Sequence, residues 1–242
     1  MHLPSRAARV LTVAALPLVL AACGSSGDTK ATSSSSDTSA ASPASAAKDP
    51  DAGLLTGTKL KKALAPASFF PSGFSSDPSS TRDTGDTFTP PATKSPAKPD
   101  CAHLDATGWV DVTGVTGVSF AQSDYVDKNT SEEISQEIDA YRGTTAASVL
   151  KAVRKTAASC ASFTDSATHS TVKTEGRTTA GLGDEAYTIT LTDSAWENGT
   201  TLIAARQGTN LVTVLSTDGH DNGAATAKKL AQRIVTSLKT AS

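Results

Sequence analysis

The chain has 242 residues, 38% hydrophobic and 5% aromatic, with 22 Lys+Arg against 24 Asp+Glu and three cysteines. That length accommodates one or two domains of ordinary size. Charge is nearly balanced and no basic stripe or arginine-rich arm stands out, which excludes the electrostatic footprint of a nucleic-acid-binding protein.

Residues 1–22 read as an export signal. His2, Arg6 and Arg9 make a basic start, and residues 10–20 form an apolar run that contains Pro17. A permanent span needs about 20 apolar residues, so this shorter run predicts a signal-peptide core. It ends in Leu20-Ala21-Ala22-Cys23, which resembles the bacterial lipobox. The resemblance implies a diacylglycerol on the Cys23 sulfur and cleavage after Ala22, with Cys23 as the first mature residue. The small residues at 21 and 22 let a peptidase approach the backbone, and the thiol accepts the lipid. Two or more acyl chains, at roughly 0.8 kcal/mol per buried methylene, suffice for stable anchoring. The expected location is the extracytoplasmic face of the cell membrane, held there by the lipid. With Arg6 and Arg9 removed, 20 bases would face 24 acids, a net charge of −4.

Residues 23–52 comprise the lipidated cysteine and a tether. Residues 24–50 hold nine Ser and three Thr but no Val, Ile, Leu, Met or aromatic residue. Such a stretch cannot bury enough apolar surface to offset the entropy of ordering, so disorder is expected, with a root-mean-square reach of about 30 Å. A single domain is expected over 53–242. Thr58 is a candidate cap for a short helix over 59–64, which Pro66 stops. Phe69, Phe70 and Phe74 then read as an apolar plug that docks the N-terminal arm on the core, or alternatively as a ligand-stacking wall. Residues 75–100 carry five prolines and one large apolar residue, Phe88, and are expected to be a disordered loop.

Beyond the loop, residues 117–126 read as a strand. Residues 131–142 fit either period, and Thr130-x-x-Glu133 resembles a capping box; we read the segment as a strand. Val149, Leu150, Val153 and Ala157 fall on one face of a helix over 144–159. In 186–192, Tyr187, Ile189 and Leu191 alternate with threonines, which predicts a half-buried strand. Residues 200–206 and 210–216 form two further strands across a hairpin-length Gln207-Gly208-Thr209 connection. Ala227, Leu230, Ala231, Ile234, Val235 and Leu238 recur at helical spacing after Asn222, a candidate N-cap, and Lys228, Lys229, Arg233 and Lys239 fall on the other side. The order predicts an α+β domain with a mostly antiparallel sheet flanked by helices.

With Cys23 lipidated, Cys101 and Cys160 remain, and export favours a disulfide between them. It would close a loop of about 60 residues, worth about 4 kcal/mol in the chain-entropy picture. A metal or reactive pair would call for C-x-x-C spacing, which is absent.

Catalytic motifs are weak. Gly181-x-Gly183-x-x-Ala186 matches a dinucleotide fingerprint superficially, but an alternating strand follows where the pyrophosphate needs a helix N-terminus. The 218–223 segment has the look of a calcium loop, with His220 at its third position and Lys229 where a bidentate Glu belongs. Ser148-x-x-Lys151 lacks its Ser-Asp-Asn and Lys-Thr-Gly companions. His103, His169 and His220 have no nearby nucleophile, and Asp184 and Glu185 should point to opposite faces of a strand. No enzyme activity, cofactor or metal site is therefore expected.

The chain resembles a family of actinobacterial exported lipoproteins, themselves similar to the extracellular sensor domain of a mycobacterial transmembrane Ser/Thr kinase (PknH-type). The resemblance covers about residues 54–240. It rests on Leu54-Leu55-Thr56 through Phe70-Pro71-Ser72-Gly73-Phe74, Cys101, Cys160-Ala161-Ser162-Phe163, Gly183-Asp184-Glu185-Ala186 and the 205–212 hairpin. It implies an antiparallel sheet with flanking helices and a cleft for an unknown ligand. The kinase-linked members carry four domain cysteines where this sequence has two.

The expected function is that of a lipid-anchored, non-catalytic sensor-like or ligand-binding module for an unidentified small-molecule or cell-wall ligand. Phe69, Phe70 and Trp196 are the candidate cleft residues. The alternative is an envelope interaction or assembly protein that binds another protein or a wall polymer through an exposed face.

Overall fold

Two antiparallel meanders, joined edge to edge, make one eight-stranded sheet. The computed structural model describes residues 49–92, 101–166 and 168–241. The signal segment, Ala22, Cys23 and the tether up to residue 48 lie outside the described residues, as does the 93–100 part of the proline-rich segment. In chain order the elements are α1 (Gly57–Ala63), β1 (Phe74–Asp83), α2 (Val110–Thr113), β2 (Ser119–Asp127), β3 (Glu133–Ala140), α3 (Thr145–Ser159), β4 (Ser162–Thr164), β5 (Thr171–Thr178), β6 (Glu185–Thr192), β7 (Thr200–Gln207), β8 (Asn210–Ser216) and α4 (Ala224–Ala241), with 3-10 turns at Ala67–Phe69 and Cys101–Asp105. The sheet order is β1-β2-β3-β8-β7-β6-β5-β4, and every pairing is antiparallel. This is the α+β class expected from the sequence.

Each face of the sheet carries its own core. On one face, Ile134, Ile138, Ile203, Val212 and Val214 pack beneath α1, α4 and the phenylalanine segment. On the other, Ile189, Leu191, Leu202, Leu211 and Leu215 pack with α2, α3 and Trp109. Strands β3 and β8 are buried on both sides; β3 buries Ile134 and Ile138 on one face and Ser135, Glu137 and Asp139 on the other, so its two isoleucines, four residues apart, fit either period. The predicted stripes are those buried: Val149, Leu150, Val153 and Ala157 in α3, and Ala227, Leu230, Ala231, Ile234, Val235 and Leu238 in α4. Each large side chain so buried contributes about 1.5–3 kcal/mol.

The phenylalanine plug is present. Phe70 stacks on Tyr125 with ring centroids 3.6 Å apart, and Phe69 and Phe74 pack against the same core. A polar clamp supports it. The Gln136 side chain accepts from Ala65 N–H (2.8 Å) and donates to Ala65 C=O (3.0 Å), so one buried amide replaces the strand partner that this backbone lacks.

Three expectations need correction. Residues 75–100 are not wholly a loop, because their first part belongs to β1. That strand is polar because it is an edge, and its register shifts between Asp77 and Arg82. Pro78 sits within that shift, where no ladder N–H is required, and Asp77 accepts from both the N–H and the hydroxyl of Ser79 there. Helix α1 begins at Gly57 with Thr56 in the cap position, while the Thr58 N–H donates to Gly85 C=O. Asn222 is not the cap of α4. Asp221 takes the Ala225 N–H (2.9 Å), and Asn222, at φ 58°, accepts from Gly199 N–H (2.9 Å). Gly223 has φ 78°, and a Cβ there would overlap the Ser216 carbonyl, so the turn into α4 requires glycine.

Candidate functional site

Helix α4 covers β7 and β8 but leaves β5 and β6 open on the same face. The alternation read in β6 determines what is exposed there. Ile189 and Leu191 go to the α3 core, which turns Thr188, Thr190 and Thr192 to the opposite face. Register then builds rows across the strands: Arg177–Thr188–Ile203, Glu175–Thr190–Thr201 and Lys173–Thr192. Where this polar lattice meets the first turn of α4 there is a cavity of about 400 Å³, lined by residues 177–180, Thr188, Thr201, Ile203, Ala224, Ala225 and Lys228. Its size is that of a small-ligand pocket.

The floor is buried and the rim is charged. Thr188 and Thr201 are 3% and 0% exposed, whereas Arg177 and Lys228 are exposed. The Thr188 and Thr179 hydroxyls share a 2.5 Å hydrogen bond. Thr201 Oγ1 is buried and has no hydrogen-bond partner among the described residues. Arg177 and Lys228 form no ion pair among the described residues. The carboxylates at this end of α4 are already engaged: Asp218 accepts from Thr226 Oγ1 (2.5 Å) and Asp221 from Ala225 N–H. Glu175 is on the same sheet face as Arg177, two residues away, and does not line the cavity.

A second polar cluster lies on the opposite face. Glu137 and Asp139 sit two residues apart on β3 and are 8% and 7% exposed. Thr107 Oγ1 donates to Glu137 Oε2 (2.7 Å), and the chain passes close by at Gly108 and Gly117. Burial, reinforced by the neighbouring Glu137 charge, holds the Asp139 carboxyl well above its usual range. Burial also raises Glu137, against the lowering effect of the Thr107 bond. Tyr141, next on the same face, is raised by burial and by both acids. Covered in this way, the pair is a core element whose burial pushes both carboxyls toward the protonated form. Trp109, beside it, donates from Nε1 to Thr213 Oγ1 (2.7 Å).

The structure joins Cys101 to Cys160, with their Cα atoms 5.6 Å apart. It does not assemble the aromatic cleft: Phe69 and Phe70 belong to the α1/α4 core, whereas Trp196 packs on the α3 core across the sheet. Asp184 and Glu185 do converge, on Arg206: Asp184 Oδ2 is 2.9 Å from Nη1 and Glu185 Oε2 is 4.0 Å from Nε. Glu185 also pairs with Arg154 at 2.7 Å. These are ion pairs closing the 181–186 turn on the β7–β8 hairpin. Ser148 and Lys151 are both exposed. His103 lies 3.7 Å from Asp111. Among the described residues no group of three or more His, Cys, Asp or Glu could hold a metal ion, and no helix is long and apolar enough to cross a membrane. A shallower depression of about 320 Å³ lies between α1 and α4, with Lys59, Lys62 and Arg233 at its rim.

No protein-family model matches the chain, and no curated protein matches it.

Proposed function

We propose that the protein is a lipid-anchored extracytoplasmic module that binds a small ligand without transforming it. The single observation that carries the binding role is the cavity over β5–β7. Its rim holds two cations, Arg177 and Lys228, that form no ion pair among the described residues. Two cations on one concave surface with no acidic side chain in its lining favour a ligand that supplies the missing negative charge. The lipobox sequence at 20–23 supports the anchoring role, and the tether would let the domain stand off the membrane without fixing its orientation. The likeness to exported sensor-type lipoproteins supports the same reading.

Two experiments test the two halves. Mass analysis of the N-terminal peptide, with fractionation of wild type and Cys23→Ala, addresses the anchor. The wild type should carry a diacylglycerol on Cys23 and sediment with membranes, and the variant should not; an unmodified wild-type Cys23 refutes anchoring. For binding, thermal unfolding of the full chain in neutral detergent is followed against cell-wall fragments, lipids and small metabolites. A ligand bound only by the folded state, at 100 times its dissociation constant, adds about 2.7 kcal/mol. A saturable shift with some member supports the reading, and no shift across the panel counts against it.

A further inference from the structure

Resting on the ligand-binding reading above, we propose that the cavity over β5–β7 binds a phosphate group, with Arg177 and Lys228 as its charge partners. The charge argument comes first. Two cations, Arg177 from β5 and Lys228 from α4, line one cavity of about 400 Å³ with no acidic side chain in its lining. Neither has an ion-pair partner among the described residues. A phosphate monoester near neutral pH carries close to two negative charges and matches that pair. The guanidinium presents a planar fork suited to phosphate oxygens, and the ammonium serves as a point charge.

The donor argument is independent of charge. The Thr179 and Thr188 hydroxyls line the cavity and bond each other, which uses one of their two O–H groups and leaves the other to donate to an acceptor-rich group. A phosphate offers only acceptors when fully ionised, so it complements that hydroxyl, an ammonium and a guanidinium. The helix terminus is not needed as a donor, because Asp221 already takes the Ala225 N–H. Ile203, Ala180, Ala224 and Ala225 complete the wall and leave an apolar side for a compact organic body. That extra room favours an esterified phosphate over the free ion.

The test is calorimetric titration of the full chain in neutral detergent, at constant ionic strength in chloride, with glucose 1-phosphate, inorganic phosphate and glucose as probes. The expected result is saturable binding of the phosphate probes, the ester more tightly than the free ion, and no binding of glucose. Tighter binding of the free ion supports the phosphate site and assigns inorganic phosphate as the source. Arg177→Gln and Lys228→Gln, both exposed substitutions that leave the core intact, should each weaken binding about ten-fold or more. The proposal is overturned if neither phosphate probe binds, if glucose binds equally well, or if the Arg177 and Lys228 variants bind as wild type. A neutral member of the wider panel that shifts unfolding while neither phosphate probe binds would overturn the phosphate assignment alone. Silence across both the phosphate probes and the wider panel would overturn the ligand-binding reading with it.

Discussion

Removing the Cys101–Cys160 disulfide should destabilise the domain in a way that can be worked out beforehand. The bridge spans a sequence separation of 59, and the chain-entropy relation puts its effect at about 4 kcal/mol. For a domain of roughly 190 residues, unfolding entropy is about 0.4 kcal/mol/K, so the midpoint should fall by roughly 10 °C. The bridge also pins the turn at Cys101–Asp105 to the end of α3, and through it Leu104, Trp109 and Val112 in the core. Cys101→Ala/Cys160→Ala should therefore also speed amide exchange in residues 101–118 beyond the global effect, because that segment keeps only its packing. The assay is thermal unfolding of both proteins with exchange followed by mass spectrometry. A midpoint within 2 °C of wild type, with unchanged exchange at 101–118, would refute the reasoning.

Other consequences follow from the buried polar contacts. Gln136→Leu removes both bonds to Ala65 and leaves a buried N–H and C=O unpaired, at about 1–3 kcal/mol each; denaturant unfolding checks this, and Gln136→Glu should restore only the acceptor half. The acid pair predicts a pH dependence. Asp139 and Glu137 are raised in the folded state, so the folded protein keeps protons that the unfolded chain releases. Their stabilising contribution is present in acid and is lost as pH rises above the ordinary carboxylate range of about 4, through the raised folded values. The unfolding midpoint should accordingly fall from pH 5 to pH 8, and Asp139→Asn, which mimics the protonated acid, should flatten that slope and raise the midpoint at pH 8. An identical slope in wild type and variant would contradict the assignment.

The parts of the fold legible in the sequence are those where one period dominates. The apolar stripes of α3 and α4 and the Tyr187, Ile189, Leu191 alternation of β6 each have one buried face and one open face, and each matched its element. Strand β1 is not legible because an edge strand needs little apolar content, and β5, flanked on its outer side only by the three-residue β4, needs little more. Only Val172 of β5 is buried, and β1 has no fully buried residue at all. Its Ser75, Ser76 and Asp77, and Pro78 within the register shift, read as loop for the same reason. The threonine face of β6 was visible as the polar half of an alternation, but its partners Arg177 and Lys228 come from an unread strand and from a helix's polar side. Only strand register and the uncovered edge of α4 bring them together. The Glu137–Asp139 pair did carry a signal, since two acids at i and i+2 in a strand share a face. Their burial depends on the 101–118 segment folding over them, which no local pattern announces.

The most direct test of the central claim, that the β5–β7 cavity is where this domain meets its ligand, is amide chemical-shift mapping of the full chain with whichever probe shifts its unfolding. The account predicts perturbations confined to residues 177–180, Thr188, Thr201 and 224–228, absent in Arg177→Gln. Perturbations centred instead on the α1/α4 depression at Lys59, Lys62 and Arg233, or on the segment covering Glu137 and Asp139, would contradict it.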